Sequence, residues 1–317
     1  MYSVRGPDLD WTPLRPIPKN GTFAITAPSS PVDDEQQLNR GVRYLEKQGY
    51  RVEVGKSCTS EHYYVAGTDA SRAYELMDFV EDPKIDAIIC ARGGYGSMRM
   101  LKLLDFELFR EKQKPLIGFS DVTALQWAIY SQTGLPSISG PLLMRDLGAE
   151  QINPFFEEHF WNLIQDGKVA CELDYQQEKQ QEVKAVGLAG TIAVGSWILG
   201  TPFFPNTHQR ILVLEDTEEP VHKIEAHLLQ WSMGGLLDKA EAILLGEFTD
   251  ITHSPFGENP PLEEVFNRVF EGIDRPVIRN FPYGHISPKV SLPIGVPYTL
   301  HLGEQSRLEI PNSIFES

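Results

Sequence analysis

The feature that most restricts the fold of this chain is an alternation in its first half between short apolar runs and stretches with helical apolar spacing. Thr22 to Thr26 (TFAIT) reads as a buried strand, followed by the turn-rich APSSPVDD. Leu38, Val42 and Leu45 recur at i, i+4 and i+7, which predicts a helix with one buried face. RVEV at Arg51 is a second strand, and a helix is expected over about 70–80. IDAIIC, beginning at Ile85, is a third strand, and KPLIG at Lys114 a fourth. Val122, Leu125 and Ile129 restore helical spacing after it. Such a βαβα order requires a mostly parallel sheet with both faces covered, hence an α/β fold.

The second half restarts at Gly187 with an apolar helix candidate running through Trp197 and Leu199; Trp197 reads as core. ILVL at Ile211 and AILLG at Ala242 are strands, with a helix opened by Pro220 between them. A helix is expected over 261–270, and PVIRN, YTLHL and RLEIP read as late strands. DYQQEKQQEVKA is polar and nearly free of large apolar residues, and reads as an exposed connection. The expected organisation is therefore an N-terminal domain over 1–168, a linker over 169–186 and a C-terminal domain over 187–317.

Net charge narrows the choice of partners. Forty-four acidic against 28 basic residues leave −16, which repels nucleic-acid phosphates and anionic membrane surfaces. Neither nucleic acid nor membrane is an expected partner. No 18-residue apolar run suggests a membrane span, and the first 21 residues contain no apolar segment of signal-peptide type. Cys58, Cys90 and Cys171 are odd in number and far apart, which suggests neither a disulfide framework nor a zinc knuckle. These readings point to the cytoplasm.

Two segments have the composition of a site. In Gly118-Phe119-Ser120-Asp121 a strand runs through Gly-x-Ser directly into a helix, as in a nucleophile elbow. The glycine usual two residues after the serine is replaced by Val122, and a serine at a helix start is equally suited to capping. The second segment is Arg92-Gly93-Gly94-Tyr95-Gly96-Ser97, at the end of the third strand. Glycines there let main-chain N–H groups approach a ligand closely. The spacing is neither G-x-G-x-x-G nor a phosphate-binding loop, so a nucleotide- or sugar-binding α/β protein without chemistry is the weaker alternative.

A nucleophilic serine needs a base and a group to orient it. His285 follows the strand PVIRN, and Glu215 ends the run from Ile211, but spacing alone selects neither. His222 and His227 are five apart, so they face different sides of a helix and do not form a zinc motif.

Taken in order, APSSP, RGGYGS, GFSD, GPLL at Gly140, LAGTIAVGSWILGTPFFP at Leu188, VLEDTEEP at Val213 and GHISPKVSLPIG at Gly284 resemble the LD-carboxypeptidase family over nearly the whole chain. These are serine peptidases of peptidoglycan recycling, and the group also contains microcin C self-immunity hydrolases. The resemblance implies an N-terminal α/β sandwich carrying a nucleophile, Ser120. It implies a smaller, barrel-like C-terminal α/β domain carrying Glu215 and His285. The main-chain N–H groups of Gly94 and Asp121 would form the oxyanion hole, and Arg92, Gly93 and Tyr95 would contact substrate. Arg92 is the candidate for the terminal carboxylate. A homodimer without metal or organic cofactor is also implied. The expected substrate is a murein tetrapeptide losing its terminal D-alanine; the alternatives are a peptidyl- or aminoacyl-nucleotide amide, as in a microcin C-type hydrolase, or a non-catalytic ligand-binding relative. Two departures concern how the peptide is held: Thr191 where the family often has asparagine, and Ser139 where it often has histidine.

Overall fold

The computed structural model describes residues 11–316. The N-terminal stretch read as lacking a signal peptide lies, over residues 1–10, outside the described residues. Two sheets organise the remainder. The first uses β1 (Thr22–Thr26), β2 (Arg51–Val54), β3 (Ala87–Cys90), β4 (Leu116–Gly118) and β5 (Ser137–Ser139). The second uses β6 (Val169–Leu173), β7 (Gln181–Thr191), β8 (Arg210–Thr217), β9 (Ala242–Thr249) and β10 (Val277–Ile278). The chain then returns to the first sheet as β11 (Leu292–Ile294) and closes the second with β12 (Pro297–Leu302) and β13 (Ser306–Ile310).

The first sheet has the order β11-β5-β4-β3-β1-β2, parallel throughout except for β11 against β5. Its connections run through α1 (Glu35–Lys47), α2 (Asp69–Glu81), α3 (Phe106–Lys112) and α4 (Thr123–Thr133). The second sheet, ordered β10-β9-β8-β7-β12-β13-β6, is parallel from β10 to β7 and antiparallel beyond, and it curls into a half-barrel. Between the sheets in sequence lies α5 (Pro154–Asp166); α6 (Ile192–Trp197), α7 (Val221–Met233) and α8 (Leu262–Phe270) belong to the second half.

The segment over 169–186, expected as an exposed linker, instead supplies β6 and most of β7. The reason is visible in the pairing. β6 buries alternate residues, Val169 and Cys171, and leaves Ala170 and Glu172 outward. The start of β7 buries only Val183. Where an antiparallel sheet has one wet face, as at edge strand β6 and at the start of interior strand β7, few apolar residues are needed, so these strands read as polar loop.

The two layers meet where α4 packs against β7. Trp127 is fully buried and donates its indole N–H to the Ala189 carbonyl at 2.9 Å. Phe204 and Trp231 enclose the same ring edge-on and tilted. A buried tryptophan of this kind is worth roughly 3–5 kcal/mol against alanine. Beside it, Thr123 at the start of α4 accepts the Thr191 N–H at 3.2 Å. This joint fixes the strand ends that carry the site.

Candidate active site

Strand β4 ends at Gly118, Phe119 is extended, and Ser120 turns into the left-handed region with φ +66°. A non-glycine residue in that region costs roughly 1–3 kcal/mol and persists only where its surroundings enforce it. A single 3-10 turn over 120–122 then leads into α4. Ser120 does not cap that helix: its Oγ lies 3.0 Å from Nε2 of His285. The other ring nitrogen, Nδ1, is 2.7 Å from Oε2 of Glu215. Glu215 is fully buried, and its Oε1 accepts the hydroxyl of Thr191. The hydrogen-bonded order is therefore Thr191–Glu215–His285–Ser120.

Each member is delivered by a strand end. Glu215 lies on β8 directly across from Thr191 on β7. His285 is held by a bridge between Glu247, on β9, and Gly284. That approach requires a glycine at 246, where an added Cβ would sit 2.2 Å from the Tyr283 carbonyl oxygen. Phe119 packs against the imidazole with ring centres 4.7 Å apart, and the Lys289 ammonium sits 4.3 Å from the centre of the Phe119 ring. Lys289 also pairs with Asp146 at 3.0 Å.

Asp121, singled out in the sequence for its main-chain N–H, also has a buried side chain that organises the site. Its buried carboxylate accepts the Ser29 hydroxyl at 2.6 Å and the Ser97 N–H at 2.8 Å. It thereby ties the APSS turn and the glycine-rich loop to the turn bearing Ser120. Burial pushes its carboxyl above the usual carboxylate range, and hydrogen bonds from Ser29, Ser97 and Gly96 oppose that shift. Gly93 lies against Ser120, since an added Cβ would come within 2.9 Å of the Ser120 Cβ.

The resulting cleft, of about 480 Å³, is lined by Arg92, Gly93, Gly94, Ser120, Thr191 and His285 among others. Tyr95 lies beside it, with its ring 5.8 Å from that of Trp197. Trp197, expected in the core, is 39% exposed and lines the cleft. It is the last residue of a six-residue helix, whose inward face is already filled by Ile192, Ala193, Val194 and Gly195. Arg92 also reaches the cleft, but its guanidinium is engaged by Asp33 at 2.5 Å and by the Pro31 carbonyl at 2.9 Å. The departure at 139 has a local partner: the Ser139 hydroxyl is 2.6 Å from the Tyr283 hydroxyl. The sequence reading passed over Arg145, Glu218 and Glu219, all of which line the cleft. Their signal was position, immediately after GPLL and within VLEDTEEP.

Asp216, next to Glu215, is buried and accepts the Ala193 and Thr217 N–H groups at 3.1 and 2.9 Å. Burial, reinforced by the Glu215 charge, pushes its carboxyl up to about 8. An unfolded aspartate ionises near ~3.9. Between those values the native chain holds a proton that the unfolded chain has released, so this group makes stability fall as pH rises through that window. Thermal unfolding at pH 5 and pH 8 should therefore show wild type losing more than Asp216→Asn on the alkaline step. Parallel responses of the two proteins would show that Asp216 does not titrate in that range.

Among the described residues, no group of three or more His, Cys, Asp or Glu side chains is arranged to hold a metal ion. No helix among them is long and apolar enough to cross a membrane.

Comparison with known proteins identifies the family. Residues 23–140 match the LD-carboxypeptidase N-terminal domain and residues 184–300 the LD-carboxypeptidase C-terminal domain. A probable murein peptide carboxypeptidase of Bacillus subtilis is 32% identical over 305 residues, covering 94% of each chain. The microcin C7 self-immunity protein MccF of Escherichia coli is 27% identical, covering 87% of this chain and 88% of its own. The crystal structure of muramoyltetrapeptide carboxypeptidase from Oxalobacter formigenes superposes with a TM-score of 0.83 at 26% identity, over 93% of this chain and all of that one. With both domain matches in order and this relative matched over nearly its full length, the chain belongs to the LD-carboxypeptidase family of serine peptidases.

Proposed function

We propose that the chain is a serine carboxypeptidase that releases the terminal D-alanine of murein tetrapeptides. The observation that carries the chemistry is the unbroken hydrogen-bonded line from Glu215 through His285 to Ser120 at the floor of an open cleft. His285 takes the proton of Ser120 as Oγ attacks the scissile carbonyl. Glu215 holds the tautomer in which Nδ1 carries the hydrogen, and stabilises the imidazolium that forms. The N–H groups of Gly94 and Asp121 receive the developing oxyanion, for which one donor is worth roughly 2.7–4 kcal/mol. His285 then protonates the leaving amine, and water releases the acyl group from Ser120.

The substrate class draws support from the names of the relatives and from the charge of the cleft. Glu218, Glu219 and Asp250 are among the residues lining it, a setting that favours the free amine of a diamino acid. The cytoplasm, where recycled wall peptides arrive, and a homodimer complete the proposal.

One observation favours a second reading. Trp197, Tyr95 and Tyr64 form a partly exposed aromatic cluster at the rim. Such rings can stack a nucleobase for roughly 1–3 kcal/mol per base. A peptidyl-nucleotide hydrolase of the microcin type would use that surface. Three substrates assayed side by side decide between them: the tetrapeptide, its L-alanine-terminated isomer and an aminoacyl sulfamoyl adenylate. Preferential release of D-alanine is the expected result. Faster cleavage of the adenylate, or indifference to the terminal chirality, would overturn the carboxypeptidase assignment and leave the triad standing.

A further inference from the structure

We propose that Arg145 receives the terminal carboxylate of the substrate and so makes this serine hydrolase an exopeptidase. The inference rests on the carboxypeptidase reading and names the residue that enforces it. Two cationic side chains line the cleft, Arg92 and Arg145. Arg92 is neutralised by Asp33 and adjoins Gly93 and Gly94, on the side assigned to the oxyanion. Arg145 is exposed and donates one N–H from Nη2 to the main-chain carbonyl of His285 at 2.7 Å. No carboxylate pairs with it among the described residues. Its neighbour Asp146 is occupied by the Lys289 ammonium and the Leu142 N–H.

The direction of the reaction selects between the two arginines. The leaving nitrogen must come within hydrogen-bond reach of His285 Nε2 to collect its proton. In a terminal alanine the carboxylate carbon is two bonds from that nitrogen. The carboxylate is therefore delivered beside the segment bearing His285, where the Arg145 guanidinium is bonded. A guanidinium presents five N–H groups in a planar fork suited to a carboxylate, and one of them is committed here. Glu218, Glu219 and Asp250, which also line the cleft, repel a carboxylate placed beside them.

The test is a comparison of kcat/KM for the tetrapeptide acid and its C-terminal amide in wild type, Arg145→Gln, Arg145→Lys and Arg92→Gln. Wild type is expected to prefer the acid by roughly 10- to 100-fold, the range of a charge-assisted pair. Arg145→Gln should lose that preference by slowing the acid alone, and Arg145→Lys should retain part of it. Arg92→Gln should keep the wild-type ratio. If Arg145 merely holds the His285 loop, its loss slows both substrates equally and the ratio stands, which overturns the proposal. Collapse of the ratio in Arg92→Gln also overturns it. Cleavage of neither substrate by wild type removes the carboxypeptidase reading and this inference together, a result distinct from the other two.

Discussion

Ser120→Ala is expected to abolish turnover of the tetrapeptide, by at least ~10⁴-fold in kcat, while leaving the fold in place. The size of the loss follows from the role proposed for Oγ, the one atom to which the acyl group is assigned. The intact fold follows from the backbone. Serine already sits at φ +66°, and alanine meets the same left-handed cost at that position. The tie that shapes the elbow is the Asp121 carboxylate with Ser29 and Ser97, and it does not involve the serine hydroxyl. Thermal unfolding of the variant should therefore match wild type, and a fluorophosphonate probe should label wild type alone. Hydrolysis near the wild-type rate in the alanine protein would remove Ser120 from the mechanism.

The inner strands β1, β3 and β4 of the first sheet were legible because they are buried on both faces. TFAIT and IDAIIC consist of apolar runs for that reason, and β1 is buried at every position. Legibility failed where local pattern is not what decides the structure. Helix α5 went unread although Asn153 caps it, Pro154 opens it, and Phe156, Phe160, Leu163 and Ile164 are buried on one face. Strands β5 and β11 have three residues each and exist only through their pairing. A window of three residues carries no period.

The site divides in the same way. Ser120 announces itself through strand, glycine and helix start, all within seven residues. Glu215 and His285 lie 95 and 165 residues further along, and only the topology brings them to it. Spacing could not choose them; the order of whole motifs did. The hydroxyl of Thr191 is a subtler case. Read as a departure that affects peptide binding, it proves to hold the buried oxygen of Glu215. Its meaning depends on β7 and β8 being adjacent and in register, which neither segment declares alone.

Glu215→Gln is the second large effect, and it separates orientation from nucleophilicity. The carboxylate accepts from two groups, the Thr191 hydroxyl and His285 Nδ1, and donates to none. Glutamine keeps the shape but offers one oxygen and one NH₂ group. If the oxygen faces His285, the amide hydrogens meet the Thr191 hydroxyl, which can rotate and accept instead of donating. If the NH₂ faces His285, the imidazole is driven to the tautomer with its hydrogen on Nε2, and it can no longer accept the Ser120 proton. In either arrangement the imidazolium loses its buried counter-charge. A loss on the order of 10⁴-fold in kcat is the expected size for such an exchange in a serine triad. KM should change little, because Glu215 is buried beneath the histidine rather than exposed to substrate. Because the triad acts as a unit, adding Glu215→Gln to Ser120→Ala should cost almost nothing further. Independent, multiplying losses in the double variant would mean that Glu215 acts elsewhere than through His285, and the relay inferred from the 2.7 and 3.0 Å contacts would not be the catalytic one.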